Sequence, residues 1–248
     1  MTKIANRQTT GPPEHKLGSL RYASLFLNTS EEELVRFQNA AQTRSYKKGK
    51  TLYLEGEPAK FFYVICSGWI KLFHTMPEGD EVIVDMLTTG HMVGESSIFE
   101  HDRHTSNAQI VEDVQLISIP SSVLKEQIDL SPKLAASMLS SMFRHHRRHY
   151  GELALNAMQN APQRVGSFLL RLCPPDKKKD ITLHLPYDKT LIAYTLGMKG
   201  STFSRALNIL RQKTAIRITG SLVEIDSLER LVKFVYGPLA SKYAPDVM

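Results

Sequence analysis

The chain has 248 residues, 42% of them hydrophobic and 23% charged, and a net charge of +6. That balance is ordinary for a globular protein with room for one large domain or two modest ones. Its two cysteines, Cys66 and Cys173, form no CxxC and no cluster, which excludes a disulfide scaffold, a cysteine-held zinc site and an iron–sulfur cluster. The longest apolar runs, such as Phe61 to Cys66, are far too short to cross a bilayer, and the N-terminus lacks the apolar core of a secretory signal. A cytoplasmic protein with no membrane partner is expected.

Residues 1–20 are polar, carry Gly11, Pro12 and Pro13, and read as a flexible extension. Ser30 followed by Glu33 predicts a capping box opening a short helix through Ala41. From Thr43 to Ile119 the texture becomes that of strands. Runs rich in β-branched and aromatic residues fall at Thr51–Leu54, Phe61–Cys66, Trp69–Phe73, Val82–Leu87, Ala108–Val111 and Val114–Ile119. The turns expected between them include Ser67–Gly68, Pro77–Asp80, Thr89–Gly90 and Glu112–Asp113. Such spacing predicts an antiparallel roll over residues 21–125 and argues against a dinucleotide fold.

After Pro120 the period becomes helical. Ser131-Pro132 starts a long segment to about Gln159, in which Leu134, Met138, Met142, His146, Tyr150 and Ala154 recur every four residues. A stripe of that length can pack against a copy of itself, so residues 126–160 are read as a dimerisation helix; a single core helix fits the same stripe. Residues 161–236 follow as a further domain and 237–248 as a tail.

Leu185 to Arg211 reads as two short helices around a glycine turn at Gly197, with Ile192, Ala193, Leu196, Met198, Phe203 and Ala206 able to pack them on one core. This is the pattern of a helix-turn-helix, whose second helix enters the DNA major groove. An ordinary helical hairpin with a solvated polar face fits the same spacing. Ser201, Thr202, Ser204 and Arg205 would stand at the start of the second helix, and Arg205 can donate two hydrogen bonds to guanine. Lys199 and Thr202 are read as phosphate contacts that position the helix. Two strands, Ala215–Ile218 and Leu222–Ile225, predict a wing, and Asp226 a cap for a last helix. Charge follows the same division. Gln163 to Tyr236 has 13 Lys and Arg against 6 Asp and Glu, a net +7, whereas Met1 to Pro162 has 17 against 18, a net −1. A basic C-terminal region attracts phosphate backbones. The run Lys177 to Lys179 reads as a loop.

A roll, a long helix and a winged helix in this order, an α+β architecture, resemble the Crp/Fnr superfamily of bacterial transcription regulators over about residues 22 to 236. The resemblance is carried by the roll's Gly49, Gly56, Gly68, Gly79, Gly90 and Gly94, by Gly94-Glu95 followed by Ile98-Phe99, and by LPYDKTLIAYTLGMKGSTFSRAL. The last segment is most similar to the branch that responds to nitrogen oxides and low oxygen. The resemblance implies an effector site at Gly94, Glu95, Ser96, Thr105 and Ser106, joined by His149 and Tyr150 of the long helix. At the places of the phosphate-binding Arg-Ser pair of the cyclic-AMP sensors stand Thr105 and Ser106, so the guanidinium is missing. His149 and Tyr150 replace the adenine-contacting hydroxyls, and cyclic AMP is therefore not expected. Arg103 substitutes only if the strand register shifts. Serine at Ser201, where many members carry glutamate, implies an operator that differs at that base pair.

Nine histidines, with the run Arg144 to His149 on the long helix, raise haem as a cofactor. His146 and His149 are the helix candidates, and His74, His91, His101 and His104 those of the roll; another small effector, or none, fits the sequence as well. No GxxxxGK[ST], HExxH or GxSxG occurs, so no enzyme is expected. The expected function is a homodimeric, sequence-specific DNA-binding regulator acting on a two-fold-symmetric operator, biased by an effector in the roll, and contacting RNA polymerase if it activates. The alternative is a cyclic-nucleotide-binding-like module that acts through protein contacts without reading DNA. The effector, the operator and the sign of regulation are not legible.

Overall fold

Ser30 opens helix α1 (Glu31–Ala40) with a complete capping box: its hydroxyl accepts from the Glu33 N–H at 3.3 Å, and the Glu33 carboxylate accepts from the Ser30 N–H at 3.0 Å. The inner face of α1 buries Leu34 and Phe37, and Phe37 meets Phe26 edge-on at 5.0 Å. These features come from a computed structural model that describes residues 20, 23, 26, 29–99, 102–137, 139, 140, 143, 158–174, 177–186, 188–214 and 216–237. The chain divides into two units, Met1–Arg144 and His145–Met248.

In the first unit six strands form one antiparallel sheet: β1 (Gln42–Tyr46), β2 (Thr51–Tyr53), β3 (Phe61–Thr75), β4 (Glu81–Leu87), β5 (Met92–Val93) and β6 (Asn107–Pro120). The order is β1-β6-β3-β4, with β2 added to β6 and β5 to β3. Alternation along β3 buries both of its faces. Phe62 and Val64 join Ile117, Ile119 and the helices, while Tyr63 and Ile65 join Val93, Leu116 and Ile110 inside the roll. Trp69, also on β3, is 2% exposed.

The turns expected at Ser67–Gly68 and Glu112–Asp113 are not turns. β3 and β6 run through them as single strands of 15 and 14 residues. The two signals face each other where the register slips between Ile65 and Ile70, a bulge that bends both strands at one corner. Gly68 has φ +90°, and a Cβ there would lie 2.3 Å from the Asp113 carbonyl oxygen. Glycine marks the backbone's close approach, and the ladder continues past it.

Helix α2 (Ser121–Leu130) follows β6 directly and ends at Ser131. The Ser131 hydroxyl then accepts from the Leu134 N–H, and residues 132–137, 139 and 140 are helical. Most of the expected long helix, including His146, His149 and Tyr150, lies outside the described residues. So do residues 1–19 and 238–248 of the expected extension and tail.

The second unit begins with α3 (Ala161–Leu172), whose capping box pairs Asn160 with Gln163 and places Pro162 in the first turn, where a missing N–H does no harm. After it come β7 (Lys179–His184), α4 (Lys189–Thr195), α5 (Gly200–Lys213), β8 (Ile216–Thr219), β9 (Leu222–Ser227) and α6 (Leu228–Tyr236). The sheet order is β7-β9-β8, so the expected two-stranded wing gains a third strand, and Lys179 opens a strand where a loop is expected. Ile181 and Leu183 are its buried positions. Asp226 does not cap α6. Ser227 is the N-cap residue, without a side-chain bond, and Asp226 is paired with Arg217. Val165, Phe168 and Leu169 of α3 are buried in the core it shares with α5 and α6. Among the described residues no helix is long and apolar enough to cross a membrane.

Candidate nucleic-acid interface

The turn between α4 and α5 is built from its backbone. Asp188 caps α4 by accepting from the Thr190 N–H at 3.0 Å. At its other end Gly197, at φ +60°, donates to the Tyr194 carbonyl and Met198 to the Ala193 carbonyl, each at 2.9 Å. A left-handed residue is needed to turn the chain here, which is why glycine occupies the position. Of the apolar positions expected to pack the two helices, Ile192, Ala193, Met198, Phe203 and Ala206 are buried and Leu196, at the turn, is half-buried; Leu207 and Leu210 add to the same core.

What remains outside is the opposite face of α5. Lys199, Ser201, Ser204 and Arg205 are exposed, and Thr202 is half-buried. Lys199 is the N-cap residue and gives no side-chain cap, so the amides of the first turn point outward at the positive end of the helix. No acidic residue occurs in α5, and none of Lys199, Arg205, Arg211 or Lys213 takes part in a salt bridge among the described residues. The Ser204 hydroxyl donates to the Gly200 carbonyl at 3.0 Å, which leaves it an acceptor for another group. Gly200 escaped the sequence reading. A Cβ at that place would come within 3.3 Å of the Thr190 methyl, so a bare backbone lets α5 start close to α4.

The wing is electrically closed. Arg217 on β8 donates two hydrogen bonds to the Asp226 carboxylate, at 2.9 and 3.1 Å, and one to Glu224 at 3.2 Å. Its turn at Gly220 is tied to α4, since Lys189 Nζ donates to the Gly220 carbonyl at 2.6 Å. Arg217 is thus matched by carboxylates, whereas the cations of α5 take part in no salt bridge among the described residues.

In the roll, Gly94 has φ +84° and is buried, Ser96 and Thr105 are exposed, and Glu95 and Ser106 are half-buried. Arg103 provides no guanidinium to this site: it is exposed and donates to the Gly56 carbonyl at 2.6 Å. His104 occupies the place instead, 4% exposed and stacked flat on Tyr53 with ring centroids 3.5 Å apart. Its Cε1 would stand 3.1 Å from a Cβ on Gly94, and its Nδ1 is buried with no partner among the described residues. Desolvation holds the His104 imidazole below its ordinary value and pushes the Glu95 carboxyl above its own, so both favour the neutral form. Burial also drives the Tyr53 hydroxyl upward, with the Glu95 charge adding to the effect, and pushes Tyr63 up to about 12.

The other roll histidines are engaged separately, His74 with Glu55 and His91 with the Thr88 carbonyl, while His101 lies outside the described residues. Among the described residues no three His, Cys, Asp or Glu side chains converge as a metal site. Burial pushes the Cys173 thiol up to about 12, the mark of an inert thiol.

Residues 43–130 match the cyclic nucleotide-binding domain family, and residues 163–234 match the Crp-like helix-turn-helix domain family. The chain is 28% identical over 217 residues to the CRP-like cAMP-activated global transcriptional regulator of Mycobacterium tuberculosis, covering 86% of this chain and 97% of that one. It is 25% identical over 213 residues to the fumarate and nitrate reduction regulatory protein of Yersinia pestis, covering 84% and 85%. A crystal structure of a candidate cyclic nucleotide binding protein from Ruegeria pomeroyi superimposes with a TM-score of 0.72 at 31% identity, covering 90% of this chain and 97% of the other. These curated relatives regulate transcription and are not enzymes. With a cyclic nucleotide-binding roll ahead of a Crp-like helix-turn-helix, the chain belongs to the Crp/Fnr family of DNA-binding transcription regulators.

Proposed function

We propose that the protein acts as a homodimer that reads a two-fold-symmetric operator through α5, with its DNA affinity biased by an effector in the roll other than cyclic AMP. The observation that carries the reading half is the exposed face of α5: Ser201, Ser204 and Arg205 project from a helix whose positive charge no carboxylate neutralises among the described residues. Arg205 donates to a guanine edge, Ser201 and Ser204 contact neighbouring bases, and Lys199 and Thr202 hold phosphates. The apolar stripe of the long helix supports dimerisation, and two reading helices then fall on half-sites about one DNA turn apart.

The sensing half rests on the groups around Gly94. A cyclic nucleotide brings a phosphate, and a buried phosphate needs a cation. Thr105 and Ser106 bring none, Arg103 is turned to the Gly56 carbonyl, and the desolvated Glu95 carboxyl would repel an anion once ionised. Haem is a second occupant that the buried His104 could ligate. As an activator the dimer would also contact RNA polymerase.

The test is selection from a random-sequence duplex pool at about 0.15 M salt, where purely electrostatic binding is already weak, with and without cyclic AMP. Enrichment of a two-fold site that cyclic AMP leaves unchanged is expected. An asymmetric site would overturn the dimeric reading, and enrichment only with cyclic AMP would overturn the sensing half.

A further inference from the structure

Arg164 lies in the second turn of α3, outside every part of the site described so far. Its side chain reaches the turn between α4 and α5, where Nη1 donates to the carbonyl of Leu196 at 3.1 Å. Leu196 is the C-cap residue of α4. The backbone N–H groups of Leu196, Gly197 and Met198 all bond back into α4, and the Leu196 carbonyl takes its hydrogen bond from the guanidinium. Gly197 lies beside the guanidinium: a Cβ there would stand 4.0 Å from Nη1, at ordinary contact distance.

The rest of the guanidinium argues that packing alone does not explain it. Arg164 is half-buried, and its Nε is buried with no partner among the described residues. A buried donor without an acceptor costs free energy, and an aliphatic side chain would fill the same space without that cost. The compensation on view is the bond to Leu196, at the negative end of α4. Leu196 to Lys199 is also the only covalent link between α4 and α5, so whatever fixes this turn fixes the direction in which α5 leaves it.

We propose that Arg164 is a positioning residue for DNA reading: it clamps the turn so that α5 presents Ser201, Ser204 and Arg205 at one angle, and it does not itself meet the DNA. This rests on α5 being the reading helix. A positioning residue of this kind is a support whose looseness is felt at the reading atoms and not in the fold.

The full chain carrying Arg164→Met, which keeps the aliphatic stem, is compared with wild type and with Arg164→Lys, which restores one donor. Amide hydrogen exchange at Gly197 and Met198 is expected to quicken several-fold in Arg164→Met, while Ile181 and Ile225 of the β7-β9 pair keep their protection. Affinity for the selected operator is expected to fall about tenfold, equivalent to about 1.4 kcal/mol. Affinity for an unrelated duplex, and the slope of log K against log salt, should stay as in wild type, and Arg164→Lys should recover part of the operator affinity. A slope smaller by about one would show a direct phosphate contact and overturn the proposal. Faster exchange throughout the unit, or an unchanged turn, would overturn it as well. If wild type selects no operator, the reading by α5 fails, while exchange at the turn still decides whether Arg164 clamps it.

Discussion

The roll and the reader handle charge in opposite ways. Around Gly94 the roll withdraws two ionisable groups from water, so that Glu95 is pushed toward the protonated form and His104 toward the neutral imidazole, while the exposed Arg103 is turned to a backbone carbonyl. On α5 the reader leaves Lys199, Arg205, Arg211 and Lys213 in solvent with no carboxylate on the helix. A surface built this way attracts a polyanion over a long range, whereas a site built like the roll's selects by fit and hydrogen bonding. The wing lies between these extremes. It is exposed, but Arg217 is already neutralised by Glu224 and Asp226.

The contrast can be broken most severely from inside the reader. Phe203 is fully buried beneath the exposed face of α5, and Phe203→Ala should cost about 3–5 kcal/mol of stability. Thermal melting should show the loss, with DNA binding failing as the unit unfolds. A smaller change acts on the surface alone. Arg205→Ala should leave melting unchanged and lose about 1–3 kcal/mol of discrimination at one base pair, measured by competition between operator variants. If discrimination survives, α5 does not read that base.

The roll should respond to pH through Glu95 and His104. Glu95 is raised above the ordinary 4.5, so its contribution to stability is complete below that value and is lost as pH rises through the raised one. His104 is depressed below 6.5, so its contribution is complete above that value and is lost as pH falls through the depressed one. Urea midpoints between about pH 4.5 and 8 should therefore rise in Glu95→Gln relative to wild type toward the alkaline end. His104→Phe, which keeps a ring against Tyr53, should gain toward the acid end. Parallel midpoint curves for all three proteins would show that neither group is desolvated as described.

The smallest effect is expected at the wing. Arg217→Ala should leave the salt slope of DNA binding unchanged, because its charge is already matched, whereas Lys199→Ala should reduce that slope by about one. Equal reductions would make the wing part of the phosphate-binding surface.

The reader was legible in the sequence because one glycine and a set of apolar residues at helical spacing define the turn between α4 and α5 almost completely. Strand β7 was not, since its buried Ile181 and Leu183 are only two and follow a lysine run that resembles a solvated loop. The corner at Gly68 was legible as a break and misread as a turn. Glycine signals a local backbone demand, and only the facing strand reveals whether the ladder resumes. His104 sits in the polar run Asp102 to Asn107, which gives no hint of burial. Arg164 carries no local signal either, because its partner is 32 residues away. The cluster of Tyr53, Gly94, Glu95 and His104 is out of reach for a related reason: it is drawn from β2, the Gly94 step and the approach to β6, and no local spacing joins them.

Trp69 gives the two units different visibility. It is the chain's one tryptophan and is sealed within the first unit. Indole emission on denaturation therefore follows the roll. Circular dichroism counts the helices of both. Curves that coincide would mean that the two units unfold as one cooperative body, and curves that separate would assign each unit its own stability.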